Sequence, residues 1–173
     1  MPNESVKITL TLHEYFIAAS AGMMRMHVSS AAGRNCNTGN VSRPPLTRTG
    51  DEIRSMCAEY AWAKASGTYF DGGVNKFMSE PDTNGVEHKT LRDPNGRMPI
   101  RPNDKQNRVF VCSFTDGQTV TFLGWLRGTD KRDEWKSNPG NARPAWFVPQ
   151  SALRPISELP PELLPAAFNP QRN

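Results

Sequence analysis

The hydrophobic pattern at the start of the chain changes from strand-like alternation to helical spacing. "VKITLTL" alternates apolar and polar residues and predicts a β-strand. From Leu12 onward apolar residues recur at helical intervals, and the Thr11–Glu14 pair forms a capping box that places the helix start near Leu12. Gly33 predicts its end. We expect the apolar stripe of this helix to face the core; it consists of Leu12, Tyr15, Phe16, Ala19, Met23 and Met26.

A second helical pattern follows an irregular stretch. Residues 34–48 lack periodicity and are rich in Asn, Pro and Arg, which predicts a mobile loop. Thr49 and Glu52 form a second capping box, so a helix is predicted to begin there and to end at Gly67. Its apolar face is formed by Ile53, Met56, Cys57, Tyr60 and Ala63.

The rest of the chain carries strand-length patterns. "RVFVCSF" and "TVTFLGWL" flank the turn "TDGQ" and predict an antiparallel hairpin. "GVEHKTL" and "AWFVP" predict further strands, and "TYF", "VNKF" and "PIRP" are shorter candidates. Residues 158–173 are Pro-rich and predict a disordered tail. We therefore predict a single domain over residues 1–157, of α+β class, with a mixed β-sheet backed by two helices.

The composition indicates the cellular environment of the protein more clearly than its activity. The 173 residues suffice for one domain, and the net charge of +4 is compatible with a polyanionic partner. Three widely spaced cysteines without a C-x-x-C pair favour reduced thiols over a zinc site or disulfides. The N-terminus lacks a signal-peptide pattern, and no apolar run is long enough to span a bilayer. These features predict a cytoplasmic protein with no membrane partner.

Several charged residues in the middle of the chain form the candidate site. Glu59 lies at the edge of an apolar helix stripe, Asp71 and Asp82 occupy turns, and Glu87 and Lys89 share one face of a predicted strand. Each has an ordinary structural explanation when taken alone: a surface carboxylate, a turn residue or an ion pair. His88 points to the other strand face, which favours packing.

In combination, these residues resemble the motif of PD-(D/E)XK nucleases. "PDTNGVEHKTL" is similar to the active-site segment of mismatch-repair nicking endonucleases and their restriction-enzyme relatives. The resemblance implies a restriction-endonuclease-like core in which Asp82 and Glu87 bind Mg²⁺ or Mn²⁺, with Glu59 completing the acidic rim. Lys89 would orient or activate water, and Asp71 is the reserve metal ligand. Divalent cations held by carboxylates stabilise the charge that builds up during phosphodiester hydrolysis.

A longer stretch resembles a family of small phage and prophage proteins. The shared segments run from Glu59 to Phe77, from Gly124 to Gly128 and from Pro144 to Leu153. This resemblance implies a phage-type protein of the host cytoplasm.

A charged segment near the end of the predicted hairpin is the candidate nucleic-acid interface. Trp135 lies between charged residues, and mixed basic and aromatic side chains suit phosphates and unstacked bases. The basic residues of this segment are Arg127, Lys131, Arg132 and Lys136.

The sequence thus predicts a metal-dependent nuclease acting on DNA. The alternative is a catalytically degenerate protein of the same fold that binds DNA or a host protein as an inhibitor or accessory phage protein. A homodimer is also left open.

Overall fold

Two helices and seven strands form the regular structure of the residues that the computed structural model describes, which are 5–33, 44–73, 81–83, 85–138 and 144–169. The helices are α1 (Leu12–Ala31) and α2 (Pro45–Ser66). The strands are β1 (Val6–Thr9), β2 (Val86–Leu91), β3 (Met98–Ile100), β4 (Val109–Thr115), β5 (Thr119–Arg127), β6 (Lys136–Ser137) and β7 (Ala145–Val148).

The strands form two sheets. The main sheet has the order β1-β5-β4-β2, in which β2 runs parallel to β4 and the other neighbours are antiparallel. The smaller sheet has the order β3-β7-β6 and is antiparallel. The predicted α+β class, the mixed sheet and the β4–β5 hairpin are therefore confirmed.

The two faces of the main sheet are covered by different layers. One apolar cluster joins α2 to the sheet through residues such as Trp62, Val111 and Phe122. A second cluster joins the opposite face to the smaller sheet through Phe110 and Val148, among others. Alternate residues of β4 therefore point into different clusters, and both sets are buried.

Helix α1 packs on helix α2. The side of α1 that contacts α2 is not the side that carries most of its large apolar residues. The Thr11–Glu14 capping box is confirmed: Glu14 N–H donates to Thr11 Oγ1, and Thr11 N–H donates to Glu14 Oε2. The predicted apolar stripe is wrong for Leu12, Phe16 and Met23, which are exposed, and is confirmed for Ala19 and for Tyr15, which packs against the core. The buried positions of α1 are its small residues, Ala18, Ala19 and Gly22.

Gly22 explains this choice of face. A Cβ atom at Gly22 would lie only 2.7 Å from Ile53 Cα, so the backbones of α1 and α2 are in direct contact there. Such an approach requires small residues on the contacting side, and it leaves the large apolar residues of α1 on the outside.

The start of α2 corrects a second prediction. The helix begins at Pro45, one turn before the predicted capping box, with Pro in the first turn where its missing N–H is tolerated. The Thr49 hydroxyl donates to Pro45 O inside the helix instead of capping it. The predicted loop is thus wrong for residues 45–48, and residues 34–43 lie outside the described part of the chain. Gly67 ends α2 in the left-handed conformation, as predicted.

The predicted disordered tail is wrong for residues 158–169. Leu159 is buried, and the Phe168 ring lies 5.8 Å from the ring of Trp62 and 5.9 Å from that of Phe122. A chain of short 3₁₀ turns carries these residues to the core, because prolines restrict the backbone without preventing apolar side chains from packing. Residues 170–173 lie outside the described part.

Candidate functional site

A buried ion pair joins α1 to α2. The Glu59 carboxylate is 3% exposed and accepts a hydrogen bond from Arg25 at 2.9 Å. The same guanidinium lies 3.4 Å from Glu52, which precedes Glu59 by seven residues and therefore shares its helix face. The antiparallel packing of the helices brings Arg25 to this position.

Asp82 contributes a further negative charge that acts on this group. It accepts a hydrogen bond from the backbone N–H of His88 at 2.8 Å, which fixes the turn before β2. Burial and the negative charge of Asp82 raise the pKa of Glu59 to about 8, against the opposing effect of Arg25. Burial also raises the pKa of Glu52. The charge of Asp82 thus acts on Glu59, and the convergence of the two carboxylates on one metal ion stays a prediction.

Gly73 closes the group from the side of the loop that follows α2. Its φ of +55° favours glycine, and a Cβ there would lie 3.1 Å from Glu59 Oε2. Asp71, the predicted reserve ligand, accepts the Gly73 N–H at 2.9 Å in a local turn. Its carboxylate thus shapes the loop that touches Glu59.

Glu87 and Lys89 lie elsewhere, and the predicted convergence with Glu59 is wrong. Both side chains point away from α2, on the sheet face that carries Phe110. Glu87 forms an ion pair with Arg108, and Lys89 donates to Asp104 at 2.8 Å. The pleat of β2 produces this result, because residues 87 and 89 face opposite to residue 88.

His88 lies on the α2 side of the main sheet, where the site prediction had placed Glu87 and Lys89. Its ring lies 5.5 Å from that of Trp62, and the residue is buried, as predicted for a packing residue. Neither ring nitrogen has a hydrogen-bond partner among the described residues. Burial lowers the pKa of His88 to about 4, so the ring is neutral near neutral pH.

The carboxylates around Arg25 fit a metal ion less well than the sequence predicted. Among the described residues, no three His, Cys, Asp or Glu side chains are arranged to hold one. Asp82 is the member of the predicted set whose charge acts on Glu59, and Arg25 offsets part of that effect. With its raised pKa, Glu59 can hold a proton near neutral pH, and a cation binding there would have to displace that proton.

The predicted nucleic-acid segment forms a layer of cations over indole rings. Lys131 Nζ lies 4.7 Å and Lys136 Nζ 5.4 Å from the centroid of the Trp146 ring. Arg132 lies over the Trp135 ring at 5.3 Å. Arg127 is exposed at the end of β5, just before this segment. We call residues 127–136 together with Trp146 the basic–aromatic surface.

Sequence reasoning missed several residues that determine these two sites. Arg25 and Glu14 are the charged residues of α1 besides its histidines, and the seven-residue spacing of Glu52 and Glu59 was a signal that two carboxylates share one face. The sequence around Trp146 did not indicate its place in this surface, because Trp146 comes next to Lys136 only through the pairing of β6 with β7.

Comparison of the chain with protein-family models, curated proteins and solved structures gives no match. Within the described ranges, neither helix has the length and apolarity required to cross a membrane.

Proposed function

We propose that this protein binds DNA through the basic–aromatic surface and that its Glu87-x-Lys89 motif has a structural role. This is the alternative that the sequence left open, a protein of nuclease-like sequence without the nuclease chemistry. The observation that carries the proposal is the stacking of Lys131, Lys136 and Arg132 on two tryptophan rings.

The surface has the chemistry that polyanionic chains require. Cations held over indole faces keep N–H groups available for phosphate oxygens. Arg132 is well exposed, and Lys136 is exposed beside it.

Three acidic residues moderate the charge of this surface. Residues 127–136 contain four basic and three acidic side chains. Asp130 is engaged by Arg154 at 2.9 Å, which adds another cation to the area, and Glu134 lies 3.6 Å from Arg132. We therefore expect moderate, strongly salt-dependent affinity with little sequence preference.

The second candidate is the metal-dependent hydrolysis of DNA predicted from the sequence, on a restriction-endonuclease-like core. The electrostatic effect of Asp82 on Glu59 favours it, since Mg²⁺ uses as few as one or two protein carboxylates. In this candidate Lys89 takes no part, because its ammonium is engaged by Asp104 on the other sheet face. Either candidate fits a reducing cytoplasm, in which the buried Cys57 and Cys112 stay thiols.

The binding experiment compares charge-removal variants at two salt concentrations. Fluorescent single- and double-stranded DNA is titrated with wild type, with the double variant Lys131→Gln/Lys136→Gln and with Lys7→Gln, an exposed lysine on β1. We expect the double variant to bind at least tenfold more weakly and the slope of log affinity against log salt to fall by about two. Wild-type behaviour of the double variant, or no binding by wild type at low salt, would contradict the proposal.

The cleavage experiment separates the two candidates. Plasmid and single-stranded DNA are incubated with Mg²⁺ or Mn²⁺ and wild type, Asp82→Asn or Lys89→Ala. We expect no cleavage by any of them. Cleavage lost in Asp82→Asn but retained in Lys89→Ala would select the second candidate. Cleavage lost in Lys89→Ala would show that the motif is catalytic and overturn our assignment of its role.

A further inference from the structure

Helix α1 turns its small residues inward and its large apolar residues outward. Leu12, Phe16, Ile17, Met23 and Met24 are each between 40% and 59% exposed. An ordinary surface helix buries such residues and exposes polar ones. Here the close contact of Gly22 with Ile53 fixes the opposite orientation.

The exposed residues form a continuous face. At 100° per residue, Leu12, Phe16 and Met23 lie within an arc of about 40°, and Met24 and Ile17 lie about 80–100° beyond it. The exposed Ser20 and His27 lie between the two groups. The face extends for about 22 Å along the helix, from Leu12 to the exposed His27.

This face carries no Asp, Glu, Lys or Arg. Within Leu12–Ala31 the residues of these types are Glu14 and Arg25, and both turn toward α2. Glu14 pairs with Lys64 at 2.8 Å, and Arg25 pairs with Glu59 at 2.9 Å. Of this chain, 22% of the residues are charged. An exposed apolar helix face of this length without charge is therefore typical of an interaction site.

We propose that the charge-free face of α1 is an interface between two copies of the chain. A face without charge can meet its own copy across a two-fold axis without like-charge repulsion, and two-fold dimers are the commonest assemblies. A membrane surface fits less well, because interfacial helices carry Lys or Arg along their polar face, and the Arg of α1 is turned to the protein.

The residue pattern favours an antiparallel arrangement whose two-fold axis passes near the exposed Ser20. This small residue leaves room for the two helices at the axis, whereas Ala19 is buried within its own chain. Phe16 of each copy then lies against Met23 of the other, which is a favourable sulfur–aromatic contact. Leu12 lies near His27 of the other copy.

The available area suits a reversible dimer. Large side chains present roughly 200 Å² each, so five of them at about half exposure offer on the order of 500 Å² per copy. Two copies together reach about 1,000 Å², the lower end for a specific interface. The interface is therefore expected to be weak and reversible.

Sedimentation velocity over a concentration series tests the proposal with single charges. We expect wild type to dimerise and both Phe16→Lys and Met23→Glu to weaken dimerisation at least tenfold. Leu46→Glu is the control, because Leu46 is 87% exposed at the start of α2 and outside the face. Wild type that stays monomeric, or a Phe16→Lys variant that dimerises like wild type, would overturn the proposal.

A mixture of the two variants tests the register. In a heterodimer of Phe16→Lys with Met23→Glu, the new charges meet as one ion pair, while the remaining Phe16–Met23 contact is intact. The mixture should therefore dimerise more strongly than either variant alone. A mixture that stays as weak as its components would contradict the antiparallel arrangement. Binding of wild type to anionic lipid vesicles that Phe16→Lys abolishes, without dimerisation, would assign the face to a membrane instead.

Discussion

Glu59 and Glu87 lie on opposite faces of the main sheet. Glu59 lies on α2, which covers one face of the sheet, and accepts a hydrogen bond from Arg25 at 2.9 Å. Glu87 forms an ion pair with Arg108 on the other face, which carries the second apolar cluster. A sheet layer separates the two carboxylates, so one metal ion cannot use both. A divalent cation bound by Glu59 therefore cannot also be bound by Glu87.

Metal binding should depend on Asp82 and be indifferent to Glu87. If Mg²⁺ or Mn²⁺ raises the melting temperature of wild type, Asp82→Asn should abolish that shift and Glu87→Gln should retain it. The shift should grow between pH 6.5 and 8.5, because the cation competes with the proton on Glu59. Thermal melts at several metal concentrations measure this. A shift lost in Glu87→Gln would place the ion on the other sheet face.

Removing Arg25 should destabilise the fold by about 2 kcal/mol. Arg25→Met leaves the buried Glu59 without its hydrogen-bonding partner, although proton uptake limits the cost compared with a trapped charge. Urea denaturation measures the change. Arg132→Met is the control, because its exposed pair with Glu134 and its contact with the Trp135 ring together contribute about 1 kcal/mol or less. Equal effects of the two substitutions would show that the buried pair has no special role.

Stability should fall as pH rises from 6.5 to 8. The pKa of Glu59 is raised from 4.5 to about 8 by burial, so the native state binds more protons there than the unfolded state in that window, and the free energy of unfolding decreases with pH. The expected loss is about 1–2 kcal/mol. His88 acts in the opposite direction between about pH 4 and 6.5, because burial lowers its pKa. Burial also raises the pKa of Glu52, which acts in the same direction as Glu59, so a variant is required to assign the effect.

The Glu59→Gln variant supplies the control for this pH effect. Glutamine keeps the size and a hydrogen-bond acceptor for Arg25 but does not titrate, so its stability should be nearly flat from pH 6.5 to 8. Urea midpoints at four pH values measure both proteins. A wild-type slope that persists in Glu59→Gln must come from another group.

Gly22→Ala should destabilise the helix pair by about 1–3 kcal/mol. The added Cβ would lie 2.7 Å from Ile53 Cα, so the helices must separate. Gly50→Ala is the matched control, because its Cβ would meet only the flexible end of Arg54, at 3.3 Å. That substitution should be neutral or stabilising by up to about 1 kcal/mol, since alanine is the better helix former. A tolerated Gly22→Ala would contradict the close crossing of α1 and α2.

The sequence by itself determined the local elements of this protein. The Thr11–Glu14 capping box, the left-handed Gly67 and the alternation of the β4–β5 hairpin depend on neighbours within a few residues, so each was readable from the chain. The strand pattern of β2 also showed that Glu87 and Lys89 share one face.

Only the tertiary structure decided which face that was. Both sides of the main sheet are covered by apolar layers, so β4 is buried at successive residues and alternation does not distinguish the side of α2 from the other. The same limit applies to α1: its pattern predicted a large apolar stripe facing inward, but the close contact of Gly22 with Ile53 turned Phe16 outward. Periodicity shows which residues share one side of a helix or strand. Packing against the rest of the chain determines what that side contacts.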